Sequence, residues 1–228
     1  MIKNKNALRL LILLLFPLII LSSCTKTKIE YWENGNKKSE LLYFNGKLDG
    51  ISTWWYESGE KQMECTYKNN MLEGQSTRWY FNGNKQRLDF YKNNMLNDTC
   101  ITWHENGTKK SVTIYINDTL NGTVTEWHDD GHIKVNGTYK NGLYEGKWEY
   151  WDKNGIKVGE GEYKNGTGIQ KGFSPDGKLM REINYINNKK NGFEIWYNKN
   201  GNMIKRITFD NDHIAYSEDS LSLSKNIN

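Results

Sequence analysis

The chain has 228 residues, of which 31 are basic and 27 acidic, and its formal net charge is +4 at pH 7. Three basic residues and no acidic ones precede Cys24, so the rest of the chain carries 28 basic and 27 acidic residues, a net charge of +1. A nucleic-acid-binding domain needs a basic surface that neutralises phosphates. The near-neutral remainder therefore gives no indication of a nucleic-acid partner.

The first residues are typical of an export signal. A basic stretch from Lys3 to Arg9 precedes an apolar run from Leu10 to Leu21, and two serines follow that run. The run is short for a transmembrane helix, which needs ~20 apolar residues. We predict that residues 1–23 are a signal peptide that is removed from the mature protein.

The end of this segment, Leu21-Ser22-Ser23-Cys24, resembles the lipobox of bacterial lipoproteins. The resemblance implies cleavage before Cys24, diacylation of its sulfur and usually acylation of the new amino terminus, with palmitate or similar chains. Since each buried CH₂ contributes ~0.8 kcal/mol, such chains anchor a protein stably in a membrane. The expected location is the cell envelope, and the outer membrane where there is one, because Thr25 rather than an aspartate follows. The alternative is an ordinary secreted protein in which Cys24 has no special role.

After Cys24 the sequence repeats with a period of 24 residues. Eight units each carry a turn glycine, an aromatic residue four positions before it and another eight positions after it. The turn glycines are Gly35, Gly59, Gly83, Gly107, Gly131, Gly155, Gly177 and Gly201. The first aromatic column is Tyr31, Trp55, Trp79, Trp103, Trp127, Trp151, Phe173 and Tyr197, and the second is Tyr43, Tyr67, Tyr91, Tyr115, Tyr139, Tyr163, Tyr185 and Phe209.

Each unit has two turn signals, as in Asn34-Gly35 and Asn45-Gly46, and such pairs tolerate the positive φ of tight type I′ hairpins. The spacing leaves strands of about 7–9 residues and no helical period. We predict an all-β fold, an elongated single-layer antiparallel meander of roughly fifteen strands over residues 31–216. Residues 24–30 are expected to be a short linker and residues 217–228 a disordered tail.

Two details of the repeat lead to local expectations. A further glycine recurs fifteen residues after the turn, with Asp98 as the exception, and we expect the aromatic columns to cover these glycines. The unit ending at Gly177 has 22 residues instead of 24, being short around Gly166 to Gln170. We expect a kink or bulge there, and the most distinctive surface of the protein.

Units such as Trp55 to Tyr67, followed by Lys-Asn-Asn-Met-Leu-Glu-Gly74, resemble the bacterial variant of the membrane occupation and recognition nexus (MORN) repeat. The resemblance extends from about Tyr31 to Phe209. It implies a repeat sheet without a catalytic centre. Many members of that family are labelled as antitoxin components, and MORN repeats elsewhere are linked to membrane association and protein scaffolding.

Few residues suggest chemistry. Cys65 and Cys100 lie three strand steps apart, about 14 Å, which exceeds the ~7 Å that a disulfide allows, so we predict two free thiols. His128, Asp129, Asp130 and His132 share one turn and could form a weak metal site, but a solvated polar turn is the simpler interpretation. No phosphate loop, nucleophile elbow or metalloprotease motif is present, so we expect neither an enzyme nor a cofactor.

The candidate binding feature is a tryptophan row, spaced about 10 Å apart on every second strand. Its members are Trp55, Trp79, Trp103, Trp127 and Trp151. The row could contact sugars, peptide or lipid, or it could only pack against the sheet. The leading hypothesis is a membrane-tethered binding or scaffold module for a protein or envelope component. The alternatives are carbohydrate or peptidoglycan binding by the row, and an immunity or antitoxin role against a toxin.

Overall fold

A computed structural model describes residues 24–219 of the chain. Residues 1–23 and 220–228, and with them the predicted signal peptide and most of the predicted tail, lie outside the described residues. Residues 24–219 form one open antiparallel sheet, and no helix among them is long and apolar enough to cross a membrane. The predicted all-β meander is confirmed.

The sheet has eighteen strands in chain order, and consecutive strands pair with each other except β7 and β8. Strands β7 and β8 are two parts of one divided strand, and both pair with β6. The strands are β1 Thr25–Tyr31, β2 Lys37–Phe44, β3 Lys47–Trp55, β4 Lys61–Lys68, β5 Met71–Trp79, β6 Lys85–Lys92, β7 Met95–Leu96, β8 Asp98–Trp103, β9 Lys109–Ile116, β10 Thr119–Trp127, β11 Ile133–Lys140, β12 Leu143–Trp151, β13 Lys157–Lys164, β14 Thr167–Phe173, β15 Leu179–Ile186, β16 Lys189–Tyr197, β17 Met203–Asp210 and β18 His213–Asp219.

Two predicted boundaries need correction. Residues 24–30 are not a linker, because Thr25–Tyr31 forms β1 and pairs along its length with β2. The first residues of the predicted tail, 217–219, belong to β18. The two terminal strands and the division at Asn97 raise the number of strands above the predicted fifteen.

The two rows of turns differ in conformation. In the row that begins with Asn45-Gly46, both central residues have positive φ, for example Asn69 at 50° and Asn70 at 70°, as type I′ hairpins require. In the row that begins with Asn34-Gly35, only the glycine has positive φ, and the Gly35 N–H donates to the Trp32 carbonyl at 3.0 Å. That pattern is typical of a longer loop built on a type I turn, so the prediction of tight hairpins is confirmed for one row only.

The recurring strand glycines lie in β-bulges. Leu41 pairs with Ser52 and Tyr43 with Leu48, so three residues around Gly50 oppose Leu42 alone. Gly50 has a φ of 105°, which an L side chain rarely adopts. The aromatic cover that we predicted is wrong at this position. Although Tyr67 pairs with Gly50 across the strands, the group nearest to a Cβ on Gly50 would be the Leu42 side chain, at 2.5 Å.

The short unit has no kink. Between β13 and β14 the register runs without a shift from Gly159↔Gly172 to Lys164↔Thr167. The equivalent pairing of β2 and β3 contains the bulge with its two extra residues. The missing two residues therefore remove the bulge, and the expected distortion around Gly166 to Gln170 is replaced by regular pairing.

Most of the buried side chains share one face of the sheet, which we call the buried face. In β2 to β8 its centre consists of small residues, among them Ser52, which is 0% exposed, and Cys65, which is 1% exposed. In β10 to β15 it is an aromatic cluster around Trp148 and Tyr163. Trp148 lies outside both aromatic columns, so the repeat pattern did not identify it. The cluster fits because glycines lie beneath it, and a Cβ on Gly161 would come within 2.5 Å of the Tyr163 ring.

Asp98 occupies the bulge position that is glycine in most units, with a φ of 105°. Its carboxylate offsets part of the backbone strain by accepting hydrogen bonds from the Thr99 N–H at 2.6 Å and the Thr99 hydroxyl at 2.9 Å. We predict that the free energy of unfolding of the Asp98→Gly variant is about 1 kcal/mol larger than that of the Asp98→Ala variant. The reason is that alanine keeps the backbone strain and loses the carboxylate. Urea denaturation of the two variants measures the difference, and an Ala variant as stable as the Gly variant would contradict it.

The glycines under the aromatic cluster provide a second test. Gly161→Ala should lower the free energy of unfolding by about 1–3 kcal/mol, because the new methyl group must displace the Tyr163 ring. Gly172→Ala is the matched control, since its Cβ would meet its nearest neighbour, Arg181, at an ordinary 3.5 Å. Equal losses for the two variants, measured by urea denaturation, would mean that the ring contact is not what requires Gly161.

Candidate functional site

The predicted tryptophan row lies in register at one end of the strands. Trp55, Trp79, Trp103, Trp127 and Trp151 are the last residues of β3, β5, β8, β10 and β12, and each is half-buried. The row therefore exposes part of each indole, but whether it binds anything stays a prediction.

Lysines lie over three of these rings. The Nζ atoms of Lys37, Lys61 and Lys85 are 5.5, 5.7 and 5.8 Å from the ring centres of Trp55, Trp79 and Trp103. Lys37 and Lys61 are also held by Glu40 and Glu64, each at 2.6 Å. Among residues 24–219, no lysine or arginine lies over Trp127 or Trp151 in this way. The row is thus divided into a lysine-covered part and an uncovered part.

The first six units are joined through the residue that follows the column aromatic. The Trp32 indole N–H donates to the Trp55 carbonyl at 3.1 Å, and the Tyr56 hydroxyl donates to the Trp79 carbonyl at 2.8 Å. His104 and His128 take the same place, with Nε2 at 3.1 and 3.0 Å from the carbonyls of Trp127 and Trp151. Because a carbonyl only accepts, Nε2 carries the proton in both histidines. Sequence reasoning missed this role, although every unit from Trp32 to His128 has a donor there.

The opposite row of turns is joined as well. The Leu48 N–H donates to Asn70 Oδ1 at 2.7 Å, and the Asn70 N–H donates to the Leu48 carbonyl at 2.8 Å. Leu72 and Asn94 repeat the arrangement one unit later. Asn70 and Asn94 therefore have a second function beyond tolerating positive φ, since each holds its unit to the preceding one.

Cys24 stands at the start of this same turn row. Its thiol is exposed, its N–H donates to Asn45 Oδ1 at 3.2 Å, and its carbonyl accepts from the Asn45 N–H at 3.0 Å. Cys65 and Cys100 are buried and free, as predicted. Burial raises the pKa of the Cys65 thiol, and burial together with a hydrogen bond to Asp89 raises the pKa of Cys100 to about 11.

The histidine-rich turn shows no metal-binding geometry. His128 donates through Nε2 to the next unit, and His132 pairs with Asp130 at 3.3 Å. Within residues 24–219 no group of three or more His, Cys, Asp or Glu side chains is arranged to hold a metal ion. The polar-turn interpretation of residues 128–132 agrees with these contacts.

Open grooves lie between neighbouring units. One, of about 460 Å³, lies at the short unit and is lined by Lys147, Glu160, Glu162, Gly168, Ile169 and Lys171. Its lysines and glutamates balance in charge. Another, of about 340 Å³, lies at the uncovered part of the tryptophan row, where Trp127 is flanked by His104 and His128 and by exposed lysines.

Among solved structures, the chain is similar to the crystal structures of TcdB2-TccC3, TcdB2-TccC3-TEV and TcdB2-TccC3-Cdc42, at 12% identity each. The TM-scores are 0.21, 0.20 and 0.18, and the matches cover 85%, 86% and 86% of this chain. The chain spans only 14%, 12% and 14% of the length of those chains. Scores this low carry no argument about fold or function. No curated protein matches the chain.

The model of the MORN repeat variant matches six segments: 26–45, 48–69, 72–93, 120–141, 144–165 and 167–187. The segments between and after the matches continue the same antiparallel pairing, although the strand around Asp98 is divided into β7 and β8. The matches cover more than half of the 228 residues. The chain belongs to the MORN repeat variant family.

Proposed function

We propose that this protein is a binding or scaffold module of the cell envelope, anchored in a membrane through lipid on Cys24 and holding a protein partner or envelope component. The family supports a repeat-protein binding module. The anchor rests on the sequence before Cys24 and on the geometry of that residue.

The exposed thiol of Cys24 is the observation that carries the proposal. It stands one residue before β1, and the hydrogen bonds to Asn45 use only the backbone of Cys24. The sulfur is therefore accessible to an acyl donor. An acylated amino terminus would still be an amide with one N–H, so the bond to Asn45 would survive modification.

Binding rather than catalysis fits the repetition of the sheet. Each unit offers nearly the same backbone, whereas a catalytic centre requires groups of different chemistry at one place. What varies from unit to unit is the set of exposed side chains along the grooves. We therefore assign recognition to those differences, and expect neither cofactor nor turnover.

The geometry does not favour sugar stacking along the whole tryptophan row. Lysines already lie over Trp55, Trp79 and Trp103, and a sugar ring would have to displace them. The immunity alternative is a special case of protein binding in which the partner is a toxin. Identification of the partner decides between that case and a scaffold.

Replacement of Cys24 by alanine tests the anchor. We predict that the Cys24→Ala protein leaves the membrane fraction and no longer incorporates labelled palmitate, because no other exposed cysteine exists among residues 24–219. Cys65→Ala is the matched control and should keep both properties. A Cys24→Ala protein that still sediments with membranes would overturn the lipoprotein assignment.

Thiol labelling provides an independent measurement. In unacylated protein consisting of residues 24–228, maleimide should react with Cys24 at neutral pH and leave Cys65 and Cys100 unmodified until denaturant is added. The physical reason is that burial shields the two inner thiols and raises their pKa values, which lowers the thiolate fraction. Mass spectrometry of the labelled peptides shows which thiols reacted, and an unreactive Cys24 would contradict its exposure.

Affinity purification of the anchored protein from its own envelope tests binding. A single protein retained in stoichiometric amount would support the scaffold function, and recovery of peptidoglycan or glycan alone would replace it with the carbohydrate alternative.

A further inference from the structure

Two arginines stand directly opposite each other on the buried face of the sheet. Arg78 of β5 and Arg87 of β6 are partners across the strands, so their Cα atoms are about 5 Å apart. Like charges at opposed positions destabilise a sheet. The fold does not require this repulsion, because the next repeat has Thr102 and Ser111 at the two positions, and their hydroxyl groups hydrogen-bond at 2.6 Å.

A buried carboxylate offsets only one of the two charges. Asp89 is 3% exposed, and its Oδ2 accepts a hydrogen bond from Arg87 Nε at 2.6 Å. This bond holds the Arg87 side chain in place without using its Nη groups. No second carboxylate among residues 24–219 pairs with either arginine. Two guanidinium groups and one carboxylate therefore leave a net charge of +1.

Three side chains at this place have hydrogen-bond donors without a partner in the described part of the chain. Arg78 is exposed and forms neither a hydrogen bond nor an ion pair there, and the Nη groups of Arg87 and the hydroxyl of Tyr91 form no hydrogen bond. Burial, and after it Asp89, raise the pKa of the Tyr91 phenol, whereas the charges of Arg87 and Arg78 lower it. Both guanidinium groups thus act on the same phenol.

Arg78 also lines a groove of about 300 Å³ where β3 to β6 approach the loop row. The rest of the lining includes Trp54, Tyr56 and Met63, and no lining residue is acidic. The Trp54 ring is half-buried, and its Nε1 makes no hydrogen bond to any residue in the range 24–219. An aromatic and apolar wall beside a guanidinium group suits a ligand with a charged end and an apolar body.

We propose that Arg78 and Arg87 bind the carboxylate of a small organic acid whose apolar part lies in the groove against Trp54 and Met63. The planar fork of a guanidinium group matches a carboxylate, and two opposed forks offer donors to both of its oxygens. A net charge of +1 matches a monoanion, whereas a phosphate ester carries about −1.5 to −2 at neutral pH. Small-molecule sites begin at about 300 Å³, so the groove has room for a small ligand only. The site does not depend on the anchor at Cys24.

The next repeat supplies the test variant, because Thr102 takes the place of Arg78 there. Arg78→Thr removes one guanidinium group and leaves the bond from Arg87 to Asp89 intact. Its urea midpoint should be at or above that of the parent protein, because the repulsion is gone. A clearly lower midpoint would contradict the proposal, since it would show that Arg78 serves the fold.

Two further variants separate charge from geometry. Arg78→Lys keeps the charge and most of the side chain but loses the fork. Lys92→Thr is the matched control, because it removes one positive charge from the far end of β6, the strand that carries Arg87.

The probe is phenylacetate, and phenylacetamide, which lacks the charge, is the control ligand. In NMR spectra of isotope-labelled protein consisting of residues 24–228, the Nε–H signals of Arg78 and Arg87 should shift with phenylacetate and stay in place with the amide. Arg181 and Arg206, on β15 and β17, are internal controls whose signals should not move.

Titration of the same signals gives the affinity. Arg78→Thr and Arg78→Lys should both bind phenylacetate roughly tenfold more weakly than the parent, followed through Arg87, since bidentate bonds between charged groups are among the strongest hydrogen bonds. Lys92→Thr should bind as the parent does.

Three results would rule the proposal out: equal shifts with phenylacetamide, an unchanged affinity of the Arg78→Thr variant, or tighter binding of inorganic phosphate than of phenylacetate. The last result would assign the two arginines to phosphate groups instead of carboxylates.

Discussion

A single layer of strands has no second layer against which to bury its side chains, and this constraint explains most of the packing in the chain. The sheet covers itself with its own residues. On the buried face, rings of Trp148 and Tyr163 lie over strand glycines, and elsewhere serine and cysteine lie between larger neighbours. Lysine ammonium groups lie over some of the indoles at the strand ends. With so small a core, hydrogen bonds between successive turns take over part of the task of holding the units together.

The repeat made the fold predictable and the local departures difficult to predict. A fixed period with two turn signals determines strand length, strand order and antiparallel pairing, because each turn forces the next strand back along the last. The bulge could not be read in the same way. Gly50 indicates only that positive φ is allowed, and whether the extra residues bend the strand depends on the register of its neighbour. For the same reason the short unit suggested a kink or bulge, whereas in the structure this unit lacks the bulge that the other units have.

Only part of the candidate site could be predicted from the sequence. The tryptophan row could be predicted because its members recur at the period of the repeat. The lysines that cover part of the row, the bridging histidines and the groove around Trp127 depend on which side chains meet across units. Gln62 and Lys110 occupy equivalent positions in two grooves, as do Arg78 and Glu126, but the sequence alone does not show that these residues line grooves. What the repeats share therefore predicts the architecture, whereas their differences can be interpreted only once their positions in the sheet are known.

The length of a strand acts as a spacer in this protein. Cys24 lies in the turn row of Asn45, at the beginning of β1, and the Trp127 groove lies in the opposite row, where the strands end. A strand of eight residues at ~3.3 Å per residue separates the two rows by roughly 25 Å. Since β1 begins directly after Cys24, no slack chain shortens or lengthens that separation. A lipid on Cys24, as proposed, would therefore hold the margin with the tryptophan row at a fixed distance along the strands.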